Sequence, residues 1–260
     1  MSTRTDLLAT LQSTFRDFGS LLDSLSPEQW KVQSLCPAWT VHGVVVHVTT
    51  VEAVLLGWRP DSAENPFLRM GEVAAEIGAM TPAELTARHH EVVAARMAEL
   101  ATMTDADFDA PSFTPVGPGT YARFMAIRVF DTWVHHRDIT VPLGIATDDS
   151  GPAAEISLGE VEGSIGYIAG KKIGVPDGKG IAFEVTGAVP RRILVKVDGR
   201  AARVAELPDP DVTLTADTLT FMLLACGRID PDAAIAAGSV RWTGDDELGG
   251  RAARNLAFTM

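Results

Sequence analysis

The chain reads as an α+β protein of two domains, an antiparallel four-helix bundle over residues 1–148 and a smaller α+β domain over residues 149–260. Three observations predict this. Four segments before Pro142 repeat their apolar residues at intervals of three and four, the pattern of helices that bury one face. The stretch Gly144-Ile-Ala-Thr-Asp-Asp-Ser-Gly-Pro152 then interrupts with turn formers and reads as a linker. Beyond it, short β-prone runs punctuated by glycine alternate with helical ones.

The first helix is expected over Thr5–Leu25, where Leu7, Leu8, Leu11, Phe15, Phe18, Leu21, Leu22 and Leu25 share a face and Pro27 closes the element. A second is expected over Val41–Gly57, with Thr40 as N-cap and Trp39 stapled onto Val44; Gly57 and Pro60 end it. The run Val44–Val51 is rich in β-branched residues, so a strand competes. The helical stripe Val44, His47, Val48, Val51, Leu55 and the flanking start and stop signals favour the helix. A third helix is expected from Pro82 to about Met103, opened by Thr81 with Glu84 completing a capping box. After the turn-rich Pro111–Gly119, a fourth should run from Thr120 to Thr140, stopped by Pro142 and Gly144. Consecutive helices with these spacings suggest an up-and-down bundle.

In the second domain a helix is expected over Ala153–Lys171. Strands follow at Ile181–Thr186, Arg192–Val197, Arg203–Leu207 and Asp211–Thr215, with Gly187 and Asp198-Gly199 as turns. Helical patterns at Ala216–Gly227 and Asp230–Ala237, a strand at Val240–Thr243 and a helix over Asp245–Leu256 complete the reading.

Composition narrows the function classes. A formal net charge of −12 makes nucleic acid an unexpected partner, because phosphate recognition needs clustered Lys and Arg. The pairs Lys171-Lys172 and Arg191-Arg192 read as solvated faces. Two cysteines, Cys36 and Cys226, indicate no disulfide framework. The beginning lacks the apolar core and cleavage site of a secretory signal, and no apolar run has the length of a membrane span, so a cytoplasmic protein without membrane contact is expected.

The chemistry-bearing residues are His47 on the second helix and Asp131 and His135 on the fourth. Positions i, i+4 and i+7 lie on one helical face, so Asp131, His135 and Asp138 project together with Phe124 and Ile127 on the apolar side. An ionised carboxylate there is costly unless it is paired with a metal or a histidine. If the two stripes converge in a bundle, His47 meets the pair, and two imidazoles with one carboxylate form a ligand set for a catalytic divalent cation with an open position. Spacing alone leaves a second reading open, a His–Asp–His hydrogen-bond cluster without metal.

The stretch Leu35-Cys-Pro-Ala-Trp-Thr-Val-His-Gly-Val-Val-Val-His47 resembles the "C-P-G-W-T-V … H-L" signature of the mycothiol-dependent maleylpyruvate isomerase family. Asp131-Thr-Trp-Val-His-His-Arg-Asp-Ile139 is similar to its second signature, usually "E-x-W-V-H-G-Q-D-I". Asp211–Phe221, Gly227–Pro231 and Gly238–Asp246 resemble its C-terminal domain. The resemblance implies a DinB-like bundle followed by a sterol-carrier-like domain. It further implies His47, Asp131 and His135 as ligands of a divalent metal, usually zinc, with mycothiol as thiol cosubstrate. Asp131 stands where the family commonly has Glu, and His136 where it has Gly.

Around this set, Asp138 is expected to hydrogen-bond behind the ligands rather than to ligate. Cys36 is expected to be a packed thiol without an adjacent base, and His136 to face solvent or the inter-domain cleft. His42, His89 and His90 are expected at the surface. Arg128, Arg137 and Arg241 are candidate partners for a substrate carboxylate, each read first as a surface charge. The expected function is a metal-dependent enzyme that activates a low-molecular-weight thiol for transfer to, or isomerisation of, a small electrophile, its substrate held between the domains. The alternatives are an apolar-ligand binding module with a structural or absent metal, and a thiol-independent metallohydrolase.

Overall fold

The computed structural model describes residues 3–60 and 65–259; the outer limits of the expected domains, Met1 and Met260, lie outside the described residues. The chain divides into two compact units, Met1–Thr147 and Asp148–Met260.

The first unit is built on four long helices, α1 (Arg4–Ser24), α2 (Val41–Val54), α4 (Pro82–Thr102) and α6 (Tyr121–Thr140). Two shorter ones, α3 (Met70–Gly78) and α5 (Asp105–Asp109), and a two-stranded ribbon, β1 (Pro111–Ser112) with β2 (Gly119–Thr120), lie between them. Each long helix packs on two others, α1 on α4 and α6, and α2 on α4 and α6, which closes a four-helix bundle. Capping boxes open α1 (Thr3, Asp6) and α4 (Thr81, Glu84), and the Thr120 side chain accepts the Arg123 N–H at the start of α6. The β-branched run of α2 is helical because it is packed into the bundle: Val41, Val44, Val45, Val48, Thr49, Thr50, Val51 and Glu52 are all buried. Burial on nearly every side outweighs the intrinsic preference of valine for strands.

The second unit opens with α7 (Gly151–Tyr167), which continues as a π-helical turn over Ile168–Ile173 and ends at Gly174. A five-stranded sheet follows, in the order β5-β4-β3-β6-β7. Its strands are β3 (Gly180–Thr186), β4 (Arg191–Asp198), β5 (Arg200–Arg203), β6 (Val212–Asp217) and β7 (Val240–Gly244). Only β3 with β6 is parallel, in the register Ile181 to Val212; the other three pairings are antiparallel. Strands β4 and β6 alternate buried with less buried residues, as expected of a sheet covered on one face. The cover comes from α7 over β4 and β5 and from α10 (Asp246–Arg254) over β6 and β7, with α8 (Thr218–Ala225) and α9 (Pro231–Ala236) between β6 and β7 in sequence. The strand expected at Arg203–Leu207 lies instead at Arg200–Arg203. Gly199 takes a φ of 65°, so the Asp198-Gly199 turn is tight and Arg200 already pairs with Asp198. Among the described residues no helix is long and apolar enough to cross a membrane.

His89, expected at the surface, is fully buried in the stripe Leu85, His89, Val92, Arg96, Leu100 of α4. Its Nδ1 lies 3.1 Å from the Thr49 hydroxyl and its ring 5.2 Å from that of Phe18. Burial first, and then neighbouring His90, push its pKa down from 6.5 to about 4 against the weaker pull of Asp23. The unfolded chain therefore takes up this proton before the folded one does. The stabilisation is complete above the ordinary histidine pKa and is lost as the pH falls from there towards 4. Between about pH 7.5 and about pH 5 this one group is expected to lower the free energy of unfolding by about 2 kcal/mol. Urea unfolding across that range should show a shallower pH slope for His89→Gln than for wild type; equal slopes would remove His89 as the cause.

Candidate metal centre

Helices α2 and α6 face each other in the bundle, and one turn of each carries the polar side chains that the apolar stripes predict. His47 Nε2 lies 3.7 Å from Asp131 Oδ2, and His135 Nε2 lies 3.6 Å from Asp131 Oδ1. One ligand atom from each of the three residues falls within 4.8 Å of the other two. The imidazole rings meet edge to face with centroids 4.8 Å apart. The 3.6 and 3.7 Å separations exceed the roughly 2.7–3.2 Å of an N–H···O hydrogen bond, so the three groups do not satisfy one another directly. They resemble the separations of roughly 3.3–3.5 Å between ligand atoms around a tetrahedral cation bonded at about 2.0–2.1 Å.

Asp131 is held by Arg128, one helical turn earlier, whose Nη1 donates to Asp131 Oδ2 at 2.9 Å. Burial works to raise the Asp131 carboxyl, and the positive charges of Arg128 and His135 more than offset it, leaving the pKa well below 3.8. Burial likewise works against a charged His135, but Asp131 beside it and the hydrogen bond to Asp138 raise that imidazole well above 6.5.

Arg128 is not the surface charge that its residue type suggested. It is buried, and its Nε donates to Glu52 Oε1 at 2.7 Å. Glu52 Oε2 lies 3.4 Å from Arg96 Nε, and Arg96 further donates to Glu99, the Leu55 carbonyl and the Tyr121 hydroxyl. A chain of alternating charge thus runs from inside the bundle, Arg96 to Glu52 to Arg128, and ends on Asp131. Sequence reasoning missed Glu52 and Arg96. Their signal was positional: Glu52 sits one turn beyond Val48, and Arg96 lies in the buried stripe of α4.

The loop before α2 closes the other side. Trp39 stacks on His47 with ring centroids 4.9 Å apart and 27° between planes, and lies 5.9 Å from the His135 ring. Gly43 makes room for it, because a Cβ there would stand 3.0 Å from the Trp39 Cβ. Cys36 is buried, as expected, yet it has an acidic neighbour: its Sγ donates to Asp138 Oδ2 at 3.0 Å, and Asp138 also accepts from His135 Nδ1 at 2.8 Å.

The remaining expectations divide. His136 is half-buried, with its ring 6.4 Å from that of Phe18, and burial with Arg137 beside it pushes its pKa down to about 4; this corrects its expected exposure. Arg137 is also buried, its guanidinium 3.7 Å above the Trp133 ring. His42 is half-buried with Nε2 3.2 Å from the Met80 carbonyl oxygen. His90 is exposed, as expected, and pairs with Asp23 at 3.0 Å. Arg241 is exposed on β7.

Both units of the chain resemble known proteins. Its residues 11–140 match the profile of the mycothiol maleylpyruvate isomerase N-terminal domain, and residues 155–251 match that family's C-terminal domain. No curated protein sequence matches significantly. Among solved structures, the mycothiol-dependent maleylpyruvate isomerase is similar at 17% identity and a TM-score of 0.64, over 94% of this chain and 96% of that one. A histidine-to-alanine variant of that enzyme is similar at 16% identity and a TM-score of 0.62, over the same shares. A sterol carrier protein 2-like protein from Aedes aegypti overlaps 38% of this chain and 93% of its own, at 13% identity and a TM-score of 0.30, too slight a likeness to argue from. The two profiles span the helices that carry His47, Asp131 and His135 and most of the sheet unit, and the chain belongs to the mycothiol maleylpyruvate isomerase family.

Proposed function

We propose that this chain is a metal-dependent enzyme that activates mycothiol for isomerisation of, or transfer to, a small electrophilic substrate, with His47, Asp131 and His135 as the ligands of a divalent cation, zinc by its donor set. The observation that carries the reading is the convergence of three donor atoms within 4.8 Å at separations that leave them unbonded to one another. Two imidazole nitrogens and one carboxylate oxygen are a donor set of catalytic zinc sites. The solved mycothiol-dependent maleylpyruvate isomerase, similar over nearly the whole chain, supports the thiol and the reaction class.

A divalent cation held by these three residues would supply a Lewis-acidic centre that favours the reactive thiolate form of a thiol. The side chains prepare that role. Arg128 keeps Asp131 ionised and fixes its direction, so the carboxylate is ready without protonation near neutral pH. His47 and His135 turn Nε2 towards Asp131 from opposite helices. Trp39, laid over the His47 face, limits the rotation of that ring and removes water from one side of it.

The test is a metal analysis of protein purified without chelator, followed by titration of the cobalt-substituted protein with mycothiol. One equivalent of metal and a new sulfur-to-cobalt charge-transfer band are expected. Protein that takes up no metal, or a cobalt spectrum that ignores the thiol, would overturn the reading, and turnover without any thiol would replace it with a hydrolase.

Trp39 has an expectation of its own. Trp39→Ala should weaken cobalt binding about tenfold, the lower end of what outer-sphere contacts contribute to metal affinity, with the Asp131 contacts intact. Equal affinities by calorimetry would show that the stacked indole does not hold His47.

A further inference from the structure

The two nitrogens of His135 have different neighbours. Nε2 faces Asp131 and His47, whereas Nδ1 lies 2.8 Å from Asp138 Oδ2. The same carboxylate oxygen accepts the Cys36 thiol at 3.0 Å, and the sulfur stands 4.0 Å from Nδ1, so Cys36 reaches the ring through Asp138. Both Asp138 and Cys36 are buried. An ionised carboxylate can only accept, so an imidazole bonded to it carries its proton on Nδ1 and leaves the Nε2 lone pair bare. A second tie holds the loop in register: the Leu35 N–H donates to the Asp138 carbonyl at 3.0 Å, independently of the thiol.

We propose that Asp138, steadied by the Cys36 thiol, is the positioning residue of His135, fixing the Nδ1–H tautomer and the ring direction that present Nε2 to the cation. The assignment rests on the metal-centre reading above. It gives the buried Cys36 a role that needs neither ligation nor nucleophilic attack: its S–H bonds to the same carboxylate oxygen as the ring and keeps the carboxylate from turning away.

Two readouts test it together. Asp138→Asn replaces an acceptor-only group with an amide that can donate to Nδ1, and it should weaken zinc binding about 10- to 100-fold. In the metal-free variant at alkaline pH, long-range 1H–15N spectra should show His135 as a mixture of tautomers, where the wild type shows Nδ1–H alone. Cys36→Ser keeps a donor on the carboxylate and should bind zinc within about twofold of wild type, whereas Cys36→Ala should weaken it about three- to tenfold. This pair carries the comparison if Asp138→Asn fails to fold. Wild-type tautomer and wild-type zinc affinity in Asp138→Asn, or equal affinities for the two Cys36 variants, would overturn the assignment. A wild-type protein that binds no zinc would instead sink the metal reading alone, and the tautomer spectra would still decide what Asp138 does.

Discussion

His135→Ala is expected to leave the protein folded but unable to hold the proposed cation, and to cut thiol-dependent turnover by at least about a thousandfold, equivalent to about 4 kcal/mol of barrier. The size follows from what the substitution removes. Two donors remain, His47 Nε2 and Asp131, and Asp131 is already engaged by Arg128 at 2.9 Å, so the remaining pair gives a cation little reason to stay. His47→Ala should act in the same direction. Asp131→Glu, which restores the residue that the family resemblance leads one to expect, should keep most of the metal. Metal content after dialysis, circular dichroism and turnover with and without mycothiol measure the three effects separately. One equivalent of tightly held metal in His135→Ala would end the ligand assignment whatever happened to activity.

Glu52→Ala is expected to destabilise the first unit by about 3–5 kcal/mol, because it removes the shared partner of two buried cations and leaves their charge poorly compensated. Glu52 is 1% exposed and Arg96 0%, so water cannot replace the lost carboxylate. Arg128 would keep Asp131, and Arg96 would keep Glu99, the Leu55 carbonyl and the Tyr121 hydroxyl, which places the cost below that of two orphaned charges. Glu99→Ala serves as the control. Its carboxylate is 20% exposed at its closest pair with Arg96, and about 1 kcal/mol is expected there. Chemical denaturation gives both values, and a Glu52→Ala protein within about 1 kcal/mol of wild type would show that the buried charges relax to water.

Most of the architecture was legible because its signals are periodic. A stripe that repeats over five turns, as in α1 or α4, averages out individual exceptions, and the capping box at Thr81 marks the start of α4 by hydrogen-bond chemistry. Helices α3 and α5 were not legible, since nine and five residues hold too few turns to establish a period. The two-residue strands of the β1–β2 ribbon carry no alternation at all. The convergence of His47, Asp131 and His135 was legible from helical faces, because each lies on an apolar stripe. The charges behind them were hidden by residue type. Arg128 and His89 read as surface groups until the opposing helix supplies Glu52 or Thr49, and a pairing between separate helices leaves no trace in local spacing.

The one parallel pairing of the sheet also orders events in time. Strand β3 is clasped by β4 on one edge and by β6 on the other, and its partner in β6 lies 31 residues downstream, as the Ile181–Val212 register shows. The β3–β4 hairpin closes a short loop at small entropic cost, whereas β6 must return across the hairpin and β5 before its register exists. A folding unit is therefore expected to expose the β3 edge until β6 pairs with it, an adhesive seam in a domain that, once complete, hides that strand at its centre.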